Sequence, residues 1–192
     1  MFSQDSKFYQ FSLTLYRLII LNVLVIVASL PIFTIGAAMS ALVKVIYYKD
    51  ASVARSFWAY YKSAVVKTIP ILLFHVVSIL FVLTINQLNI GQSMVMYYLI
   101  WLFILFLYTY NVNCYVAYLF YPEISLFQVF QLAFYFNVWT FYKTFWIPIL
   151  MYLLIMYTYQ YLGLVIILVS ISFPIGLHIT MIRKNIESFA EE

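Results

Sequence analysis

Among the uncharged polar side chains in the apolar runs of this chain, the candidates to carry function are Asn22, His75, Asn86, Asn111, Asn113 and His178. Carboxamides and imidazoles are the groups that make hydrogen bonds between helices in an apolar medium, and an imidazole can also exchange a proton. Their spacing limits what they can do. His75 lies eight residues past Lys67, which is ~12 Å along a helix. Asn111 and Asn113 approach the same depth from the following segment. His75, Asn111 and Asn113 are therefore the candidate polar groove, with a buried His–Asn hydrogen bond as its centre. Such a bond serves either as glue between helices or as a polar spot facing a substrate or partner. His178, near the basic C-terminal end, reads as an interfacial group.

A second constellation is conformational. Asn22, Pro31, Thr34 and Gly36 punctuate the uncharged run from Leu18 to Val43. Pro and Gly are the strongest helix breakers, and lipid cannot hydrogen-bond the backbone groups a break sets free. The small residues Gly36, Ala37, Ala38 and Ala41 would let this segment approach another helix closely. The expectation is a break buried against the rest of the protein.

Catalytic patterns are absent. The acids are Asp5, Asp50, Glu123, Glu187, Glu191 and Glu192, all outside the apolar runs. The chain has no Gly-rich phosphate loop, no GxSxG and no HExxH. Cys114 is the single cysteine, which excludes an internal disulfide and a thiolate metal cluster. The reading is a non-enzyme with no catalytic residues, no cofactor and no metal.

The elements that hold these groups follow from composition. Hydrophobic residues make up 67% of the chain and charged residues 8%, against about 25% charged in a soluble domain. Mean hydropathy is +1.02. That much apolar surface belongs in lipid. The net charge of +4 is spread over few residues, so no nucleic-acid partner is indicated.

Charge-free runs set the spans. Leu18–Val43 holds 26 residues, ~39 Å as one helix. Length favours one broken, tilted span, because a second arm ending at Lys44 would be only roughly 12 Å long. A hairpin or re-entrant segment is the alternative, and the positive-inside rule favours it. Residues 44–67 carry five basic groups against one acid and read as cytoplasmic. The 55 residues between Lys67 and Glu123 hold two spans, near 68–86 and 94–115, joined by an uncharged loop at 87–93. The 39 residues between Lys143 and Arg183 hold two more, with a turn at Tyr159–Gly163. Amphipathic helices on the inner face are read around Phe57–Val66 and Ser125–Tyr142. In the second, Ser125, Gln128, Gln131 and Tyr135 form the polar stripe.

The fold class is thus all-α: a polytopic membrane bundle of five spans plus two inner-face amphipathic helices, in one membrane domain over residues 1–192. Its parts are 13–48 (the broken first span), 52–121 and 124–184 (each an amphipathic helix plus hairpin) and 185–192 (a cytoplasmic tail). The N-terminus would be outside and the C-terminus inside. Lys67-Thr68-Ile69-Pro70-Ile71-Leu72 and Lys143-Thr144-Phe145-Trp146-Ile147-Pro148-Ile149-Leu150 suggest that the two hairpin units are parallel repeats.

Leu21-Asn22-Val23-Leu24, Leu30-Pro31-Ile32-Phe33-Thr34-Ile35-Gly36-Ala37-Ala38, Ala41-Leu42 and Ser56-Phe57-Trp58 together resemble the YesL family of bacterial integral membrane proteins. The family often has Pro after the Gly of this segment, where Ala37 stands here. The resemblance implies a multi-pass protein of the bacterial plasma membrane. It further implies an accessory role beside carbohydrate uptake permeases, with membrane lipid, a sugar permease subunit or a second copy as partner. It brings no ligand residues. A small oligomeric transporter or channel is the other reading.

Overall fold

An apolar segment removed from water must satisfy its own backbone, and a helix does so within one stretch of chain. The structure, a computed structural model, describes residues 7–87, 93–121, 123–162 and 170–190. Among them the regular structure is helical, without strands: α1 (Lys7–Ala28), α2 (Ile35–Tyr48), α3 (Val53–Ala64), α4 (Ile69–Gln87), α5 (Met94–Phe120), α6 (Leu126–Thr144), α7 (Trp146–Leu162) and α8 (Ser172–Ala190), with a 3-10 turn at Ile32–Thr34. Residues 88–92 of the expected loop at 87–93 and the end of the expected turn at Tyr159–Gly163 lie outside the described residues. α7 remains helical through Leu162. Pro70, Pro148 and Pro174 all fall in the first turn of their helices, where a missing N–H costs no helical bond.

Among the described residues two helices, Phe8–Ala28 and Met94–Phe120, are long and apolar enough to cross a membrane. The pair Val53–Ala64 and Ile69–Ile85, bent by 89°, makes a third if taken as one span. The distribution of side chains agrees with a lipid environment. Leu73, Val77, Leu80, Leu99, Leu102 and Tyr135 are exposed, whereas Asn22, Asn113, Asn137, Thr140, Ser172 and His178 are buried. A soluble bundle shows the reverse arrangement. These features are consistent with a membrane protein.

α2 is the core helix. Gly36, Ala37, Ala38, Ala41, Leu42 and Val45 are all buried, and the small side chains let α1, α3, α5 and α8 pack around it. The close approach is sharpest at Gly36, where an added Cβ would lie 2.9 Å from the Thr68 carbonyl oxygen.

The single broken first span is corrected to a hairpin. Thr14, Arg17, Leu18 and Leu21 line one depression together with Val45, Ile46 and Lys49. The Arg17 guanidinium donates to the Asp50 carbonyl. Along one span, Leu18 and Ile46 would be roughly 42 Å apart. The second arm is longer than the charge pattern implied because α2 continues past Lys44 to Tyr48. Lys44 remains in the helix with its ammonium between the Tyr60 and Tyr118 rings, 5.5 and 5.6 Å from their centroids. α2 ends at Lys49 in the left-handed region, at φ 53°.

The expected burial of the break is also corrected. Leu30, Ile32 and Phe33 are 77%, 73% and 62% exposed. The backbone is satisfied locally instead. Ser29 N–H donates to Val25 O and Thr34 N–H to Pro31 O. The Thr34 hydroxyl lies 2.7 Å from Ala28 O and 2.6 Å from Pro31 O, and the Tyr61 hydroxyl lies 3.4 Å from Ala28 O.

The two amphipathic helices differ. α3 fits the expectation of one buried face, through Val53, Phe57 and Ala64. α6 does not. It begins at a capping box, with the Gln128 N–H donating to the Ser125 hydroxyl and the Ser125 N–H to the Gln128 side chain. It then folds back along α5. Phe106, fourteen residues before the end of α5, stacks near Phe141 with centroids 5.4 Å apart, so the pair runs together for ~21 Å. The buried face of α6 is Val129, Ala133, Phe136, Asn137, Thr140 and Thr144. Its exposed face is aromatic, with Phe127, Phe134, Tyr135, Trp139 and Tyr142. The polar stripe assigned from the sequence covers only the first turns.

The two Lys-Thr junctions share a local geometry. Thr68 and Thr144 are both fully buried, and each hydroxyl donates to the carbonyl four residues back, Ala64 at 2.9 Å and Thr140 at 3.2 Å. The residue three positions on, Ile71 or Ile147, is fully buried in both.

Candidate functional site

A helix turns about 100° per residue, so Asn111 and Asn113 point to opposite sides of α5. The structure divides the candidate groove accordingly. His75 on α4 and Asn111 line one cavity of about 510 Å³, with Met39 from α2, Ser78 and Ile79 from α4, Leu107 from α5 and Ile175 from α8. Asn113 faces away from it, towards α6 and α8.

Inside the cavity wall, His75 Nδ1 lies 3.1 Å from the Tyr115 hydroxyl, and the two rings stack with centroids 5.3 Å apart. The partner of His75 is thus a tyrosine rather than the asparagine expected. The Ser78 hydroxyl donates to Phe74 O at 2.9 Å. Asn111 is 6% exposed and its Oδ1 has no hydrogen-bond partner.

The buried His–Asn bond forms elsewhere. His178 Nε2 lies 2.9 Å from Asn113 Oδ1, the Asn113 amide donates to Asn137 Oδ1 at 3.0 Å, and the Asn137 amide donates to Phe106 O at 3.1 Å. This chain ties α8, α5 and α6 together. Because Asn113 Oδ1 can only accept, the His178 proton is on Nε2, which leaves Nδ1 as an acceptor without a partner. His178 is 1% exposed, which corrects its reading as an interfacial group. It belongs to the inner stripe of α8 with Ile175, Ile179 and Ile182. Asn137 was missed. The signal for it was the stripe Ala133, Asn137, Thr140 and Thr144, small or polar residues at helical spacing in an aromatic helix.

The break motif does not form one site. Asn22 is fully buried and acts at the far end of the sequence. Its Oδ1 accepts from the Ile171 and Ser172 N–H groups at 3.1 and 3.0 Å, which caps the start of α8 from another helix. The Ser172 hydroxyl returns a bond to Leu18 O at 2.8 Å. Pro31 and Thr34 close the break itself, and Gly36 seats α2 against Thr68. The side chain of Asn86 lies outside the described residues.

Charged and phenolic groups gather at the ends of α2 and α8. The Tyr47 hydroxyl lies 3.5 Å from Glu187 Oε1, Arg183 pairs with Glu187 at 2.8 Å, and the Arg183 guanidinium sits 5.1 Å from the Tyr47 ring centroid. Burial first, and the hydrogen-bonded Asp50 carboxylate second, raise the Tyr60 hydroxyl above its ordinary pKa. Among the described residues no group of three or more His, Cys, Asp or Glu side chains could hold a metal ion.

Residues 18–87, from α1 to the end of α4, match the family described as "Protein of unknown function, DUF624". Neither the curated proteins nor the solved structures contain a match to this chain.

Proposed function

We propose that this chain is a non-enzymatic, multi-pass protein of the bacterial plasma membrane that serves as an accessory or assembly partner of a carbohydrate uptake transporter. The observation that carries this reading over direct transport is the lining of the cavity. A sugar needs many hydrogen-bonding groups around it. Here apolar residues dominate, and two of the polar groups are already engaged, His75 with Tyr115 and Ser78 with Phe74 O. The carbohydrate context rests on the YesL resemblance, with which the match over residues 18–87 is compatible. In this reading the partner docks on the broad aromatic face of α6, and residues 52–121 and 124–184 are two copies of one unit. α4 and α5 cross the membrane as one hairpin and α7 and the first part of α8 as the other, and the α1–α2 hairpin enters from the side that carries Arg17, Asp50 and Arg183. That side is cytoplasmic by its basic excess.

Co-purification tests the function. A tagged full-length chain extracted from native membranes should bring down a sugar permease subunit. Recovery without a permease, together with solute flux catalysed by the chain alone in liposomes, would favour the transporter reading. The cavity at His75 and Asn111 would then be its first candidate path. Orientation is tested with Ser52→Cys in a Cys114→Ala background. An impermeant maleimide should label it in inverted vesicles and not in intact cells.

A further inference from the structure

We propose that a second cavity, between α1, α2 and α8, holds the phosphate and the first acyl carbons of an anionic phospholipid from the cytoplasmic leaflet. Its volume is about 330 Å³, at the low end of the range of about 300–1,000 Å³ for small-molecule sites, so the rest of such a lipid stays in the bilayer. Each helix brings a polar side chain to one end of the cavity and an apolar one to the other: Arg17 and Leu21 on α1, Lys49 and Val45 at the end of α2, Thr180 and Phe173 on α8. The polar ends coincide. Arg17 donates to the carbonyl of Asp50, next to Lys49, and Arg183, three residues past Thr180, sits over the Tyr47 ring. At the other end Ser172, beside Phe173, bonds to Leu18 O. The cavity is thus charged at its cytoplasmic mouth and apolar ~10 Å deeper, the length of seven residues along α8. Lys49 and Thr180 are exposed, which leaves the mouth open. The charges say what fills it. No Asp or Glu lines the cavity, and among the described residues no carboxylate pairs with Arg17 or Lys49. The two acids nearby are engaged elsewhere, Asp50 with the Tyr60 hydroxyl and Glu187 with Arg183. Two like charges on one cavity are relieved by an anion with several acceptor oxygens, and Arg and Lys both bind phosphate. A free phosphate would use the mouth and leave the apolar end empty. A zwitterionic lipid would bring its own cation against Arg17 and Lys49. The cytoplasmic leaflet supplies anionic headgroups at high density. Such binding rests on the membrane reading above and is independent of a permease.

The test uses the full-length protein in phosphatidylcholine nanodiscs that hold a small fraction of photoreactive phosphatidylglycerol. The probe carries a diazirine near the glycerol end of one chain, and labelled peptides are mapped by mass spectrometry. Label is expected on the α1, α2 and α8 peptides that line the cavity. The matching phosphatidylcholine probe should label these several-fold less, and should label the outward faces of α4 and α5 as well as phosphatidylglycerol does, which reports insertion separately. Lys49→Gln and Arg17→Gln should each lower cavity labelling by phosphatidylglycerol roughly five-fold, the effect of one basic side chain at an anionic surface. Leu177→Trp, which narrows the cavity and keeps both cations, should lower it at least as much. Equal cavity labelling by the two probes would overturn the proposal. So would displacement of the label by inorganic phosphate at constant ionic strength, which would assign the two cations to a free anion. No label on α4 and α5 would refute the membrane reading itself, and this site with it. If a variant fails to fold, the ratio of the two probes on the unaltered protein decides alone.

Discussion

Replacing Asn113 with Leu breaks two hydrogen bonds at once, those to His178 and Asn137. The substitution nearly preserves volume, so the cost is mainly polar. It leaves His178 with neither ring nitrogen paired, because Nδ1 already lacks a partner. It also leaves Asn137 Oδ1 buried without its donor, although the Asn137 amide keeps Phe106 O. Two interhelical bonds at the membrane average of about 0.6 kcal/mol each set a lower figure near 1.2 kcal/mol. Orphaning two buried groups at about 1–3 kcal/mol each sets a higher one. The expected loss is about 2–3 kcal/mol, read by steric trapping or by unfolding in mixed micelles. His178→Leu removes the orphan nitrogen together with the bond and should cost less. The double variant should cost less than the sum, with a coupling of about 0.6–1.7 kcal/mol. Additivity within about 0.3 kcal/mol would show that the two side chains do not interact, and the three-helix chain would then have no energetic reality.

Three further outcomes follow from contacts in the first half of the chain. Gly36→Ala brings a Cβ to 2.9 Å from the Thr68 backbone oxygen and should cost about 1–3 kcal/mol. In the same unfolding assay Gly176→Ala, whose Cβ would be 3.5 Å from a Leu18 methyl, should stay within about 0.5 kcal/mol. Asn22→Ala removes the acceptor for the Ile171 and Ser172 N–H groups and should cost about 0.5–2 kcal/mol, with faster hydrogen exchange at the start of α8 as its local sign. The pair Leu18→Cys and Ile46→Cys, in a Cys114→Ala background, should cross-link through a short bismaleimide, since both side chains pack at Gly176; failure to cross-link would restore the single broken span.

How much of this was legible depends on which physical rule carried the signal. Composition gives the all-helical class and apolar helices consistent with a membrane protein, and the position of Pro within each run gives the starts of α4 and α7. Charge was misleading at one residue. Lys44 reads as the end of an apolar arm, but a lysine can stay in a helix when aromatic faces receive its ammonium, and the two tyrosines concerned lie sixteen and seventy-four positions further on. The positive-inside rule points to the hairpin, and the length argument against it rests on that one residue. The candidate groove was half legible. Depth along the helices places His75 and Asn111 on one cavity, but depth alone does not separate Asn113 from Asn111, whereas the 100° turn per residue does. Asn22 acting as a cap for a helix 150 residues away has no local signature at all. α6 was misread because its first turns, with Ser125, Gln128 and Gln131, are polar outward, whereas from Asn137 onward the polar side chains turn inward.

The exposed break joins these observations to the membrane itself. Leu30, Ile32 and Phe33 project outward, and the Ala28 carbonyl beside them depends on the Thr34 hydroxyl at 2.7 Å, with Tyr61 more distant at 3.4 Å. Thr34→Val is isosteric and deletes the nearer donor, so its cost reads the solvent around the break. In hydrocarbon no water replaces the lost bond; Pro31 O keeps the Thr34 N–H, and the Ala28 carbonyl, left with the distant Tyr61 hydroxyl, carries most of a penalty of about 1–3 kcal/mol. At an aqueous face water replaces the hydroxyl, and the cost is within about 0.5 kcal/mol. Tyr61→Phe alone should be mild, and combined with Thr34→Val it should cost more than the sum, because the second donor is then the only one left to lose. A hairpin that enters the bilayer from its charged end requires the first result, with Leu30, Ile32 and Phe33 in lipid. Thr34→Val within about 0.5 kcal/mol of the parent would place the tip in water and make α1–α2 a surface element.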